Sequence, residues 1–467
     1  MAGQERKLYL GGKLRRLRKE LGLNQNAMAA ELGVSPSYLN HLERNQRPVT
    51  AQVLLRMARS YDIDLKSFTA EGDGTGTEDL AEIFSDPMFA DIGIPRYELL
   101  EVADNAPSVA DAISRLYTAL VERRQSPEGT EPKGAASLVT PEIWVRDHIQ
   151  AQRNYFGYLE EAAETLAGAM GEYLFGSLRT RLKEGFGIDT RVVPPEALDG
   201  TSQHYDYHRK RLMLSELLRP ESRSFALAYQ LALFEFRPLL ARMLESAAPP
   251  DLPTRRLLHM SLANYAAAAI MMPYPAFLAA AERHRYDIDR VCSEFGASVE
   301  QVAHRFTTLG RSGARGIPFF MLRVDAAGNI SKRFAGESFP FSRFGGTCPR
   351  WNLHAAFRTP ERVISQIVET PDGQRFFTVS RAVERSVRLD PREPSHLAIG
   401  IGCDLRFASR IVYSDGLDLA EPYVTPIGPA CAICPRVRCP QRAAAPAGRT
   451  LTVNEMQKTI SPYPFGL

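Results

Sequence analysis

The segment from Asn24 to Glu43 constrains this chain more than any other. Asn24 offers a side-chain cap to a short apolar helix over 25–32, and Gly33 stops that helix. Ser35 caps the next helix, with Pro36 at its first position, where a missing N–H costs nothing. Gly33-Val34 leaves space for only a tight turn between two packed helices. A basic helix with Leu10, Leu14, Leu17 and Leu21 on one face precedes the pair. Thr50 caps a helix that follows, with Val53, Leu54, Met57 and Tyr61 as its apolar stripe. This spacing predicts an all-α helix-turn-helix unit.

Charge assigns that unit a partner. The 467 residues carry 57 Lys/Arg and 54 Asp/Glu, a near-neutral sum. Residues 1–70 hold 12 basic and 6 acidic residues, a net of +6, and the remainder is net −3. A polyanion at one end is implied, and double-stranded DNA is the expected partner. Ser35, Ser37, Tyr38, Asn40 and His41 cluster at the helix that would enter the major groove. Gln25 would meet a phosphate at a helix N-terminus, and Arg15, Arg16, Arg44 and Arg47 would attract the backbone. Paired half-sites predict a homodimer or higher homo-oligomer. The chain has no apolar run of about 18 residues, so no transmembrane helix is expected. Its first residues lack the apolar core of a signal peptide, which argues for the cytoplasm.

At this length the chain should be multidomain. The expected divisions are an all-α helix-turn-helix domain (1–70), a helical linker region (71–140), a mostly α middle domain of α+β type (141–310) and an α+β C-terminal domain (311–467) with a cysteine-ligated metal centre. Helices are expected at 78–86, 94–123, 141–186 and 220–310. Strands are expected at 188–193 and 211–214, in a hairpin over 319–334, and at 374–386, 396–403 and 409–414.

Two further segments carry chemistry. Phe225-Ala-Leu-Ala-Tyr-Gln-Leu-Ala-Leu-Phe-Glu235 resembles the metal-binding helix of ImmA/IrrE-type zinc peptidases. That chemistry needs His at i and i+4, with Glu beside the first. Here the positions hold Tyr229, Gln230 and Leu233, so a degenerate peptidase-like domain and no enzyme activity are expected. The second segment is Cys431-Ala-Ile-Cys434-Pro-Arg-Val-Arg-Cys439. It offers three thiols, with Cys348 or Cys403 as a fourth. Three clustered cysteines and a remote one favour a [4Fe–4S] cluster, with zinc as the alternative. Arg436, Arg438 and Arg442 would offset its charge. Cys292, in a helical stretch, reads as core.

Taken together, the helix-turn-helix run Leu23–Asn45, Arg305-Phe-Thr-Thr-Leu, Arg315-Gly-Ile-Pro-Phe-Phe, Gly345-Gly-Thr-Cys-Pro-Arg-Trp-Asn and the Cys431 motif resemble the short-chain fatty acyl-CoA regulator family. Its propionyl-CoA carboxylase regulators are the expected nearest kin. The first run alone is similar to phage-repressor (XRE-type) helix-turn-helix domains. The resemblance implies a transcription regulator with an acyl-CoA effector. Arg311, Arg315, Lys332 and Arg333 are candidates for CoA phosphates, and Phe319 and Phe320 for the acyl slot. Two rival readings are a redox-sensing iron–sulfur regulator without an acyl-CoA effector and a DNA-anchored metallopeptidase.

Overall fold

The computed structural model describes residues 14, 17–18, 23–43, 46–61, 75–89, 92–125, 140–171, 174–336, 339, 347–360, 362–384, 396–446 and 449–466. The chain divides into two compact units, one built on residues 1–127 and the other on most of 128–467.

In the first unit, α1 (Gln25–Glu31), α2 (Pro36–Glu43) and α3 (Ala51–Tyr61) enclose a core of Leu14, Met28, Leu32, Leu39, Leu42, Val53 and Met57. All three caps expected from the sequence form. Asn24 accepts from Ala27 N–H at 2.8 Å, Ser35 from Tyr38 N–H at 3.1 Å and Thr50 from Val53 N–H at 3.4 Å. Gly33 has φ +61°, and a Cβ there would meet the Arg56 guanidinium at 2.7 Å. That guanidinium donates to the Leu32 and Gly33 carbonyls, closing the end of α1 from α3. Beyond residue 74 come α4 (Thr75–Ile83), α5 (Arg96–Asn105) and α6 (Pro107–Gln125). The single helix expected over 94–123 is two, because Pro107 cannot continue a helix and instead starts α6.

The second unit begins with α7 (Pro141–Ala151), α8 (Gly157–Gly168) and α9 (Leu174–Phe186). A small sheet follows, of β1 (Asp189–Val193), β2 (Gln203–Asp206) and β3 (Arg211–Ser215), in the order β1-β3-β2. Next come α10 (Pro220–Glu235), α11 (Arg237–Ala247), α12 (Leu252–Met271), α13 (Tyr274–Arg283), α14 (Ile288–Phe295) and α15 (Val299–Phe306). The larger sheet has β4 (Phe320–Val324), β5 (Ile330–Ala335), β6 (Ile364–Glu369), β7 (Arg375–Glu384), β8 (His396–Asp404) and β9 (Thr425–Pro426), in the order β5-β4-β8-β7-β6-β9. The strand expected at 409–414 is irregular, with short 3₁₀ turns over 405–410 and 412–414. Strands β2 and β6 carry too little apolar alternation to announce themselves.

One core spans the helices and one face of the large sheet, from Val145 to Ile411. The other face, with Phe320, Leu322, Val324 and Phe376, forms a second core with Phe339, Trp351 and Leu353. Among the described residues no single helix is long and apolar enough to cross a membrane. The helices α12 and α13 together carry enough apolar length, but they are bent by 64° at their junction and their apolar residues belong to the core.

The helical half is pinned by charge. Arg305 of α15 and Glu160 of α8 form a two-pronged ion pair at 2.5 and 2.7 Å, both side chains fully buried. Tyr265 of α12 donates to Glu160 at 2.5 Å, and Arg305 also donates to the Met272 carbonyl. Removing one partner strands the other charge without water. Glu160→Ala should therefore cost about 3–5 kcal/mol of stability, measured by urea unfolding. A loss under about 1 kcal/mol would contradict this account of the pair.

Candidate functional site

Three places gather the residues singled out by the sequence. The first is the exposed edge of α2. Ser35, Ser37 and His41 face solvent, Asn40 is half-buried, and the Arg47 guanidinium lies 6.0 Å from the Tyr38 ring centre. His41 Nδ1 and Gln46 Oε1 are 2.6 Å apart, which steadies the end of the helix. Arg15, Arg16 and Arg44 lie outside the described residues. Gln25 departs from expectation. Its side-chain amide turns inward and donates to Glu43 at 2.9 Å and to Asn40 at 3.4 Å. Only the main chain at the start of α1 remains for a phosphate.

Glu43 is the residue that sequence reasoning missed. Its carboxylate takes both Arg18 nitrogens, at 2.6 and 3.0 Å, besides the Gln25 amide, and it is 8% exposed. It ties α2 to α1 and to the helix before it. A glutamate in an exposed-looking Asn-His-Leu-Glu-Arg run gives no sign of burial. Glu43→Ala should melt this unit earlier by about 3 kcal/mol and weaken DNA binding with it, as circular dichroism melts and operator titrations would report. An unchanged melt would remove the staple.

The second place is a cavity of about 380 Å³ in the second unit, within the usual size range for small-molecule sites. It lies between the end of α7, the end of α15, the segment 309–318, Gly336 and the turn at 407–410. Phe306, Leu309, Ile317, Pro318 and Phe407 supply apolar wall, and Arg153, Arg315 and Arg410 supply cations. Arg410 is paired with Glu282. Among the described residues Arg153 and Arg315 make no ion pair.

Of the six residues expected to hold CoA, Arg315 alone lines this cavity. Arg311 is committed to Glu164 and lies 4.3 Å from the Tyr274 ring centre. Lys332 pairs with Glu300 at 2.7 Å, and Arg333 sits on β5 opposite Leu322. Phe319 and Phe320 do not share a slot: Phe319, just before β4, enters the larger core and Phe320, at its start, the smaller. Phe319 stacks on Phe306 in the larger core, and Phe320 stacks on Phe339 in the smaller. Phe306, Arg153 and Arg410 come to the cavity from segments far apart in sequence, which no local motif announces.

The third place is the cysteine loop. All six cysteines are free thiols. Cys403 lies on β8 opposite Phe377, inside the larger core. Cys348 lies on the other face of the sheet, in the smaller core, where it feels Cys431 and Cys434 electrostatically. Cys434 in turn feels Cys439. The main-chain N–H groups of Gly428 and Arg350 act to lower the Cys348 thiol and that of Arg436 the Cys434 thiol, and Ala443 N–H donates to the Cys431 sulfur at 3.5 Å. A Cβ on Gly428 would stand 2.5 Å from the Cys434 sulfur, so only glycine allows this approach. Burial pushes the Cys348 and Cys434 thiols above their ordinary range. Cys348 thus lies near Cys431 and Cys434, and Cys403 lies in the other core.

The arginines of this loop hold main chain. Arg442 donates to the carbonyls of Cys431, Cys434 and Arg436 at 2.6–2.8 Å, and its guanidinium lies 4.9 Å from the Phe465 ring centre. Arg436 ties the loop to the carbonyls of Ile427, Glu369 and Thr370. Both still lower the thiol of Cys434 by their charge. Among the described residues no three His, Cys, Asp or Glu side chains stand in metal-holding geometry. On α10, Tyr229, Gln230 and Leu233 occupy the positions at which a zinc peptidase carries its ligands and base, and burial raises the Tyr229 hydroxyl.

Residues 308–463 match the short-chain fatty acyl coenzyme A regulator C-terminal domain, 183–307 the IrrE N-terminal-like domain, and 14–68 a helix-turn-helix domain. The chain is 38% identical over 98% of both chains to the HTH-type transcriptional regulator RamB of Mycobacterium tuberculosis. It is equally similar, over the same shares, to the propionyl-CoA carboxylase regulator of Cereibacter sphaeroides. The chain belongs to the short-chain fatty acyl-CoA regulator family. It is a helix-turn-helix transcriptional regulator, as the family resemblance in its sequence implied. The HTH-type transcriptional regulator PrpR of M. tuberculosis is 35% identical over 97% of this chain. A solved M. tuberculosis transcriptional regulator, 37% identical, superposes with a TM-score of 0.66 over 69% of this chain and 99% of its own.

Proposed function

We propose that this regulator is a cytoplasmic homodimer that binds operator DNA through α2 and senses a short-chain acyl-CoA, propionyl-CoA or acetyl-CoA, in the 380 Å³ cavity. One observation carries the reading: the cavity joins an apolar wall to two arginines that have no carboxylate partner among the described residues. An acyl chain needs the first feature and CoA phosphates need the second. Binding would favour one conformer and so change operator affinity. The peptidase-like helix then serves as scaffold, since leucine and tyrosine at its ligand positions leave no zinc site.

Calorimetric titration with propionyl-CoA, acetyl-CoA and free CoA tests the sensor. An acyl-CoA should bind, and Arg315→Ala should weaken it about tenfold, roughly 1.4 kcal/mol. No heat from any of the three would remove the acyl-CoA reading.

We further propose that Cys348, Cys431, Cys434 and Cys439 hold a [4Fe–4S] cluster, with zinc as the alternative. The reading is supported by the free thiols, the nearness of Cys348 to Cys431 and Cys434, and a buried Arg442 Nε–H without a partner among the described residues. Such a group would lock the loop to the segment around Cys348 and lend it redox sensitivity. Anaerobically purified protein should contain iron and sulfide in equal amounts. Both should be lost in Cys348→Ser and kept in Cys403→Ser. Zinc without sulfide would select the alternative, and the reverse pattern between the two variants would exchange the fourth ligand. A redox regulator needing no acyl-CoA would show the cluster and no calorimetric heat.

A further inference from the structure

The helices α1, α7, α13 and α14 end in the same way. Just past each helix a main-chain N–H donates to the carbonyl five residues back: Val34 to Ala29, Asn154 to Ile149, Tyr286 to Ala281 and Ala297 to Cys292, at 2.7–3.1 Å. The residue before each donor is left-handed, a conformation that glycine adopts freely and a Cβ resists. Gly33 at φ +61° and Gly296 at φ +57° fill that position after α1 and α14. After α7 and α13 it is held by arginine, Arg153 at φ +50° and Arg285 at φ +51°. The donors that follow them, Asn154 and Tyr286, are left-handed too, at φ +51° and +58°.

The fold uses one of these arginines and not the other. Arg285 takes Asp415 with two nitrogens, at 2.6 and 2.9 Å, and donates to the carbonyls of Ser409 and Ile411. A glycine there would lose every one of these contacts. The Arg153 side chain is exposed and makes no hydrogen bond or ion pair among the described residues. It lines the 380 Å³ cavity instead. Its neighbour fixes it there. Asn154 is 2% exposed, donates to Thr307 at 2.7 Å, and its amide nitrogen stands 3.3 Å from His304 Nε2. The main chain of this turn is thus fastened to α15, while the arginine it carries is left over. Backbone strain kept for a side chain that the fold does not use points to a binding role.

We propose that Arg153 is the residue that grips the phosphate end of the acyl-CoA, and that α7 carries a strained cap in order to present it. The proposal rests on the acyl-CoA reading of the cavity and names its anion anchor. A guanidinium presents a planar fork that matches phosphate oxygens. Phosphates are common to every CoA thioester, so Arg153 sets affinity and leaves the choice of acyl chain to the apolar wall.

Arg153→Gly in the full-length protein tests this, because it installs the residue that α1 and α14 already use. Two readouts should move in opposite directions. The thermal midpoint should rise, by about 2–4 °C. Calorimetry should show propionyl-CoA and acetyl-CoA weakened by the same factor, at least about tenfold. Arg285→Gly should bring no rise in the midpoint. If Arg153→Gly melts lower than wild type, its side chain serves the fold and the proposal fails. If it melts higher and binds both thioesters as wild type does, Arg153 is not the anchor and the acyl-CoA reading stands. A loss confined to one thioester would move Arg153 to the acyl end and overturn the phosphate assignment. A wild-type protein that binds neither thioester would sink the acyl-CoA reading and this assignment with it.

Discussion

The second unit is organised around a charge it cannot expose. Arg305 and Glu160 are both fully buried, and their attraction offsets desolvation only while every remaining donor and acceptor is used. The surroundings meet that demand. Tyr265 completes the carboxylate, and the Met272 carbonyl and the Thr308 hydroxyl take Arg305 nitrogens. The helices α8, α12 and α15 are thereby fixed against one another at a single point. The cavity depends on that point, since its wall begins one residue beyond Arg305, at Phe306 and Thr307. Asn154, held in a left-handed conformation with φ +51°, donates to Thr307 at 2.7 Å. That bond sets the turn that carries Arg153. Burying one ion pair therefore positions a site some of whose residues never touch it.

The helix-turn-helix follows the same logic on a smaller scale. Glu43 is nearly buried and satisfied by Arg18 and Gln25, so three consecutive helical segments share one carboxylate. Arg56 closes the end of α1 through the space that a side chain at position 33 would fill. Side chains that would otherwise serve DNA are spent on holding the reading helix in place. Gln25 is turned inward, while Ser37 and His41 stay at the surface.

Much of this was legible in the residues. Caps at Asn24, Ser35 and Thr50 act within three residues of themselves, so their geometry is local and the sequence suffices. The hairpin at 320–335 was legible from its turn, Asp325-Ala-Ala-Gly-Asn329, where Asp325 accepts from the Ala327 and Asn329 N–H groups. Pairings between distant segments were not legible. Phe319 and Phe320 looked like one aromatic slot, and the sheet sends them to opposite cores. Lys332 looked free, and Glu300 of α15 holds it.

The sequence by itself determined the class of molecule: a basic helix-turn-helix, a peptidase helix stripped of its ligands, and a compact cysteine motif. These depend on residue types at short, fixed spacings, which folding does not alter. Only the tertiary structure shows which remote cysteine lies in the core beside the motif. Cys403 is 28 residues from Cys431 and Cys348 is 83, yet it is Cys348 that feels Cys431 and Cys434, because Cys348 and Cys403 lie in cores on opposite faces of one sheet. It likewise decided which arginines stay unpaired, because a cation's availability depends on whether a carboxylate from another element arrives beside it. Arg311 meets Glu164 across 147 residues of chain, and Arg315, four residues on, meets none among the described residues.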